Sequence, residues 1–221
     1  MDELQSIIRK NGIPRAIKKG TILLYQSEIP RRAFVINRGL VRAYAITNSG
    51  EERTIALHDK GDILPLSWLF GETSTSLFYY DALTDSEVTA IPKAEIINAA
   101  AKNPAVLSSV LSLTMNEYTS LLLRITALEQ SSAAEKIALT LYYLLFRHGE
   151  EKTPGVYTIN IKLTQSMIAS LVGLTRESTA VNLKLLKKKK IVAYSNFSYT
   201  VNKTNLERFV GEDSFKNALE P

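Results

Sequence analysis

KLTQSMIASLVGLTRESTAVNLKLLKKKKIVAYSNFSYTVNK, residues 162–203, is the stretch on which the reading of this 221-residue chain turns. It carries eight lysines and arginines (Lys162, Arg176, Lys184, Lys187, Lys188, Lys189, Lys190 and Lys203) against a single acid, Glu177. The spacing predicts two short helices meeting at Gly173. Met167, Ile168, Leu171 and Val172 give the first helix an apolar face, and Gly173 supplies the permissive backbone that a tight helix-to-helix turn needs. Thr175 stands where an N-cap belongs. In the second helix Thr179, Leu183 and Leu186 form an inward stripe, while Glu177, Val181, Lys184 and Lys188 recur on roughly the opposite face. A helix apolar inside and polar-basic outside, introduced by a glycine-containing turn, has the pattern of a helix-turn-helix that reads DNA.

Ile191–Tyr194 and Tyr199–Val201 are β-prone runs separated by Ser195-Asn196-Phe197-Ser198, which predicts a hairpin; Val156–Ile161 is a third such run ahead of the first helix. Together these elements predict a winged helix-turn-helix. The quoted residues resemble the cyclic-AMP receptor/FNR (CRP/FNR) family of bacterial transcription regulators. The likeness lies in Leu171-Val172-Gly173 closing the first helix, Thr175-Arg176-Glu177-Ser178 opening the reading helix, and Leu183-Lys184-Leu185-Leu186 further along it.

The N-terminal half has a different character. From Ile17 to Ile91, short β-prone runs alternate with Gly20, Gly39, Gly50 and Gly61. Strands are expected at Thr21–Tyr25, Ala33–Asn37, Leu40–Ile46, Arg53–Leu57, Tyr79–Leu83 and Glu87–Ile91, as an antiparallel sandwich or small barrel. Asn37-Arg38-Gly39 and Asn48-Ser49-Gly50 read as hairpin turns. This half resembles the cyclic-nucleotide-binding-type β-roll of the same family through Lys19-Gly20, Arg38-Gly39-Leu40-Val41-Arg42 and Lys60-Gly61-Asp62-Ile63. The expected class is therefore α+β: an N-terminal antiparallel β-roll, a long dimerisation helix and a C-terminal winged helix-turn-helix. The expected division is 1–103 for the sensor domain with flanking helices, 104–130 for the long helix and hinge, and 131–221 for the DNA-binding domain.

Charge follows that division. Residues 1–131 hold fourteen basic and fourteen acidic residues, whereas residues 132–221 hold thirteen basic and eight acidic and so carry the entire net charge of +5. One basic part joined to a neutral part predicts that only one domain meets a polyanion. With no cysteine, there is no disulfide, thiolate metal site or cysteine-held iron–sulfur cluster. MDELQSIIRK lacks the apolar core of a secretory signal, and it is expected to form a short leading helix; Ile137–Phe146 is too short to span a bilayer. A soluble cytoplasmic protein is expected.

Leu107, Leu111, Thr114, Tyr118, Leu121, Ile125 and Leu128 follow a four-three spacing for three heptads, the pattern of a helix that packs either on its own β-roll alone or on a partner helix; Val106, Val110, Leu113 and Leu122 add a second apolar flank, enough to touch both, and a parallel homodimer is expected. Ser132-Ala133-Ala134-Glu135 reads as a capping box opening the next helix, and His148–Gly155 as a polar loop.

Within the reading helix Arg176 can place its planar fork on guanine O6 and N7. Glu177 serves either as an acceptor for cytosine N4 or simply as an acid favourable to the helix dipole. Ser178 suits a base or a phosphate. Where family members carry a third polar reader, this chain has Val181, which can touch a thymine methyl but cannot donate to guanine. The expected phosphate contacts are Thr164, Gln165, Ser166, Thr175, Lys184, Lys187, Lys188 and Lys203. Lys187–Lys190 covers more than one helical turn, so the four lysines cannot all face one partner.

The resemblance also implies an effector cassette with a glycine–glutamate pair and an arginine for a cyclic phosphate. The matching stretches, Gly61–Glu72 and Leu77–Ala82, contain no arginine or lysine, which argues against cyclic-AMP binding. What remains is either a filled core or an apolar-aromatic effector pocket of Trp68, Phe70, Tyr79, Tyr80, Tyr118, Leu122 and Ile125, with Arg124 beside it for an acidic ligand. Haem would have to use His58. No cofactor and no metal site are expected. With His58 and His148 its only histidines, the chain also lacks the ligands of a cupin-like metal enzyme; no Gly-rich phosphate loop or G-x-S-x-G elbow is present, and no enzymatic activity is expected. The expected partners are double-stranded DNA, a second copy of the chain, RNA polymerase as the resemblance implies, and a small-molecule effector, with no membrane. The competing expectation is an effector-independent DNA- or RNA-binding protein with a vestigial β-roll.

Overall fold

The computed structural model describes residues 3–71 and 73–211. Met1, Asp2, Glu72 and the last ten residues of the expected DNA-binding domain lie outside them. The chain forms two compact units that divide between Asn116 and Glu117.

The first unit runs α1 (Glu3–Asn11), β1 (Ile13–Ile17), β2 (Ile22–Leu24), β3 (Ala33–Arg38), β4 (Val41–Ile46), β5 (Glu52–His58), β6 (Ile63–Leu64), α2 (Leu66–Phe70), β7 (Tyr79–Ala82), β8 (Ser86–Ile91), α3 (Lys93–Lys102) and the beginning of α4 (Pro104–Glu129). Its strands make two four-stranded antiparallel sheets, ordered β1-β8-β3-β6 and β2-β7-β4-β5. Between them lies one apolar cluster, with Ile36, Leu64 and Val88 from the first sheet meeting Leu24, Val41, Ala43 and Tyr80 from the second. The other face of the first sheet is covered by helices: Val35, Ile63 and Ile91 pack against Leu4, Ile8, Trp68, Leu69, Ile96 and Val106. A sheet buried on both faces needs strands apolar on both faces, which explains why all but one residue of β8 is buried. On the opposite side of the second sheet, Arg42 makes a two-pronged bond to Asp81 (2.9 and 2.8 Å) and reaches Glu52 at 2.8 Å, tying β4 to β7 and β5.

The six strands expected in this half are present, within a residue or two of their predicted ends, and both predicted hairpin glycines, Gly39 and Gly50, have positive φ. Gly39 is required for a second reason: a Cβ there would lie 2.1 Å from Ser86 Oγ. Three elements were not anticipated. β1 contains Pro14 and almost no buried side chain, so no alternation marks it; it exists as an edge strand hydrogen-bonded to β8 alone. β6 and α2 are too short for a periodic signal.

The second unit comprises the rest of α4 followed by α5 (Ala133–His148), β9 (Gly149–Thr153), β10 (Val156–Ile159), α6 (Gln165–Val172), α7 (Arg176–Lys188), β11 (Val192–Ser195), β12 (Ser198–Asn202) and α8 (Lys203–Val210). α5 is its hub, buried from Ile137 to Leu145 and packed by α6, α7 and α8. The predicted capping box is present: Ser132 Oγ accepts from Glu135 N–H while Glu135 accepts from Ser132 N–H, each at 3.2 Å. β9, read from sequence as a loop, is a fully exposed strand paired with β10. It joins the wing in a sheet ordered β11-β12-β10-β9. No helix among the described residues is long and apolar enough to cross a membrane.

Replacing Ser132 by alanine removes one half of the capping box and should lower stability by about 1 kcal/mol. Urea denaturation checks this, and an unchanged midpoint would show that the cap contributes nothing.

Candidate nucleic-acid interface

α6 and α7 are set by local chemistry. Thr164 caps α6, its hydroxyl accepting from Met167 N–H at 3.1 Å. Gly173 ends α6 in the left-handed region at φ 70°, where a Cβ is disfavoured, and the chain turns at once into α7. Thr175 caps α7 as predicted, accepting from Ser178 N–H at 3.1 Å, and its carbonyl accepts from the Thr179 hydroxyl at 2.9 Å. Thr179, Leu183 and Leu186 are buried, against α5 and α6. Burying each leucine contributes about 1.5–3 kcal/mol, so the rotation of α7 about its axis is fixed.

With that face committed, Arg176, Glu177, Val181, Lys184 and Lys188 are exposed, Val181 at 66%. A valine so exposed serves no core. Ser178 is half-buried, its N–H engaged by the cap, and Asn182 folds back onto the Ser178 carbonyl at 2.8 Å. The four consecutive lysines separate as expected. Lys187 Nζ lies 5.1 Å over the Tyr194 ring and Lys189 Nζ 5.1 Å over Phe209; Lys190, at φ 58°, ends the helix, with its carbonyl accepting from Asn205. Lys188 continues the outward row of Glu177, Val181 and Lys184.

The start of α6, the start of α7 and the wing converge on a concave pocket of about 580 Å³. Thr164, Gln165, Ser166 and Arg176, all predicted contacts, share it with Tyr194, Asn196, Phe197 and Tyr199 from the wing. Tyr194 and Tyr199 stack at 5.3 Å, and burial, followed by the neighbouring Tyr194, pushes the Tyr199 phenol up to about 12, so it remains a neutral hydroxyl. The wing residues were not singled out from sequence. The hairpin signal at 195–198 marked where they lie but not what they face.

Lys203 does not belong with the phosphate contacts: it is the first residue of α8, buried, and 3.7 Å from Glu207. Within the first unit, the aromatic side chains expected to line an effector pocket are divided between different surroundings. Trp68 sits in the helix-side core with Lys93 Nζ 4.9 Å over its ring, Tyr80 sits in the separate core between the sheets, and Tyr79 stacks on Tyr44 at 5.1 Å. Phe70, Tyr118, Leu122 and Ile125 are exposed. Arg124 is buried in the second unit, where it donates to the Leu171 carbonyl at 2.9 Å, and burial depresses its pKa. It anchors α4 to the last turn of α6. His58 is buried in β5 with Nδ1 3.4 Å from Asp62. No cluster of three or more metal-ligating side chains occurs among the described residues.

Of the seven residues of the predicted α4 seam, Leu107, Leu111, Tyr118, Leu121 and Ile125 are exposed large apolar side chains, while Thr114 and Leu128 are half-buried. Met115 and Leu122 extend the exposed stripe.

Residues 14–103 match the cyclic nucleotide-binding domain, and residues 135–209 match the Crp-like helix-turn-helix domain. The chain is 26% identical over 202 residues to the fumarate and nitrate reduction regulatory protein of Vibrio cholerae, covering 91% of this chain and 78% of that protein. It is also 26% identical over 205 residues to the regulatory protein HlyX of Actinobacillus pleuropneumoniae, covering 92% and 82%. Among solved structures, FixK2 from Bradyrhizobium japonicum superposes with a TM-score of 0.74 at 18% identity, covering 89% of this chain and 96% of that one. Two domain matches in this order, relatives named as regulators along nine-tenths of the chain, and a matching fold over 89% of it identify it: the chain belongs to the CRP/FNR family of bacterial transcription regulators.

Proposed function

We propose that this regulator acts in the cytoplasm as a homodimer that reads a near-palindromic operator with two copies of α7, in successive major grooves about 34 Å apart. The observation that carries the reading is the outward row of α7. Arg176, Glu177, Val181, Lys184 and Lys188 are exposed on a helix whose opposite face is locked in the core. Arg176, free in solvent at the helix start, reads guanine, and Val181 meets a thymine methyl. Thr164, Gln165 and Ser166, with the α6 N-terminus, hold phosphate. Lys184 and Lys188 neutralise the flanking backbone. RNA polymerase is the further partner that membership of the family suggests.

Dimerisation runs through α4, whose stripe from Leu107 to Ile125 would otherwise leave seven large apolar side chains in water. In this reading the chain has three parts: a sensor-type roll at 1–103, the coupling helix at 104–130 and the DNA-binding part at 131–221. The absence of any arginine or lysine from 61–71 and 77–82, with an interior already filled by Leu24, Ile36, Val41, Leu64 and Tyr80, favours control by something other than a cyclic nucleotide in that stretch, or no effector at all.

Replacing Arg176 by alanine should cost about 1–3 kcal/mol of operator binding and relax one base position, whereas Lys188→Ala should weaken all duplexes alike and flatten the salt dependence by about one charge. Fluorescence anisotropy on duplexes varied one base at a time, repeated over a salt series, reads both; an unchanged base preference in the first variant removes Arg176 from the reading set. Introducing glutamate at Leu121 and Ile125 together should yield a folded monomer by analytical ultracentrifugation, with an unaltered circular dichroism spectrum. A dimer that survived both charges would place the interface elsewhere.

A further inference from the structure

The tip of the wing breaks a local rule for which the fold offers no return. Ser195 pairs with Ser198, so the β11–β12 hairpin closes through two residues, Asn196 and Phe197, with φ of 47° and 66°. Two left-handed residues in a two-residue loop make the mirror-image turn that suits right-twisted strands, and its usual sequence is asparagine followed by glycine. Asn196 fits. Phe197 occupies the glycine position, where a bulky side chain is an outlier and its Cβ is crowded.

Among the described residues no packing contact accounts for the ring. It is 59% exposed. The backbone at this position is used, since the Phe197 carbonyl accepts from Leu163 N–H at 2.9 Å, but glycine would make the same bond with less strain. That bond pins the wing tip one residue before Thr164, the cap of α6. Phe197 lines the concave pocket together with Thr164, Gln165, Ser166 and Arg176. Backbone strain retained where it serves no packing is the mark of a functional position.

Resting on the DNA-reading function proposed above, we infer that Phe197 is a DNA contact: its ring packs on the deoxyribose of the strand whose phosphate is held by the α6 N-terminus. A phenyl ring cannot neutralise phosphate. It can cover the apolar face of a sugar and exclude water from the neighbouring ionic contacts, and its preorganisation by the Leu163 bond limits the entropy lost on binding. Such a contact adds affinity without adding counterion release, so it leaves the salt dependence unaltered, in contrast to the lysines.

The test uses the full-length chain and its selected operator duplex, with Phe197→Gly and Phe197→Asn, both of which suit a positive φ. Each variant should melt at or above the temperature of the parent protein, yet bind roughly ten-fold more weakly, as expected for one apolar side chain returned to water. The slope of log affinity against log salt and the base preference should not change, and Phe197→Tyr should restore most of the affinity. Binding by either the glycine or the asparagine variant within two-fold of the parent would overturn the inference, as would a loss accompanied by a shallower salt slope. If the parent protein itself shows no salt-dependent duplex binding, the DNA-reading function fails and this inference with it. Duplex binding by the parent alongside full binding by the variants removes Phe197 alone.

Discussion

The structure of the DNA-binding unit depends on one constraint, the burial of the inner stripe of α7. Thr179, Leu183 and Leu186 leave the helix no freedom to rotate, and what remains on the other side is necessarily presented to solvent. The caps at Thr164 and Thr175 and the left-handed Gly173 between them set where that helix begins. Arg176 is therefore an exposed residue at a helix start because of packing two turns away from it.

The same logic separates the four lysines at the end of α7. A run of like charge gains little as a block, since neighbours on a helix repel. Its members are distributed by helical phase: Lys187 lies over Tyr194, Lys189 over Phe209, Lys190 serves as a left-handed terminator, and only Lys188 stays in register with Val181 and Lys184. Two of the lysines thus stabilise the wing and α8 by lying on aromatic faces, and the basic character of the unit is shared between structure and recognition.

In the first unit the governing feature is a sheet covered twice. Apolar residues on both faces of β3 and β8 commit the aromatic side chains around them to two different cores. That commitment disperses the aromatic cluster which looked like a ligand pocket in the sequence. Trp68 and Tyr80 are close in the chain, yet they belong to opposite sides of one sheet.

Period and turn chemistry were legible without coordinates. The β-roll strands, the capping box at Ser132, the cap of α7 and the outward row of the reading helix each depend on residues within a turn or a hairpin of one another, where sequence spacing and spatial spacing coincide. Tertiary structure alone decided the rest. β1 and β9 carry no apolar alternation and are strands only because a neighbouring strand supplies their hydrogen bonds. Lys203 reads as a surface charge in the sequence, but it is buried beside Glu207 at the start of a helix the sequence did not announce. Arg124 looks available to a ligand until its partner, forty-seven residues away, is seen to be the Leu171 carbonyl. Phe197 faces the Thr164 pocket through a bond between segments thirty-four residues apart, with a backbone conformation that no residue type there foretells. Local residue patterns fix what each segment is; which segments share a hydrogen bond or a core depends on chain folding over distances that local patterns do not encode.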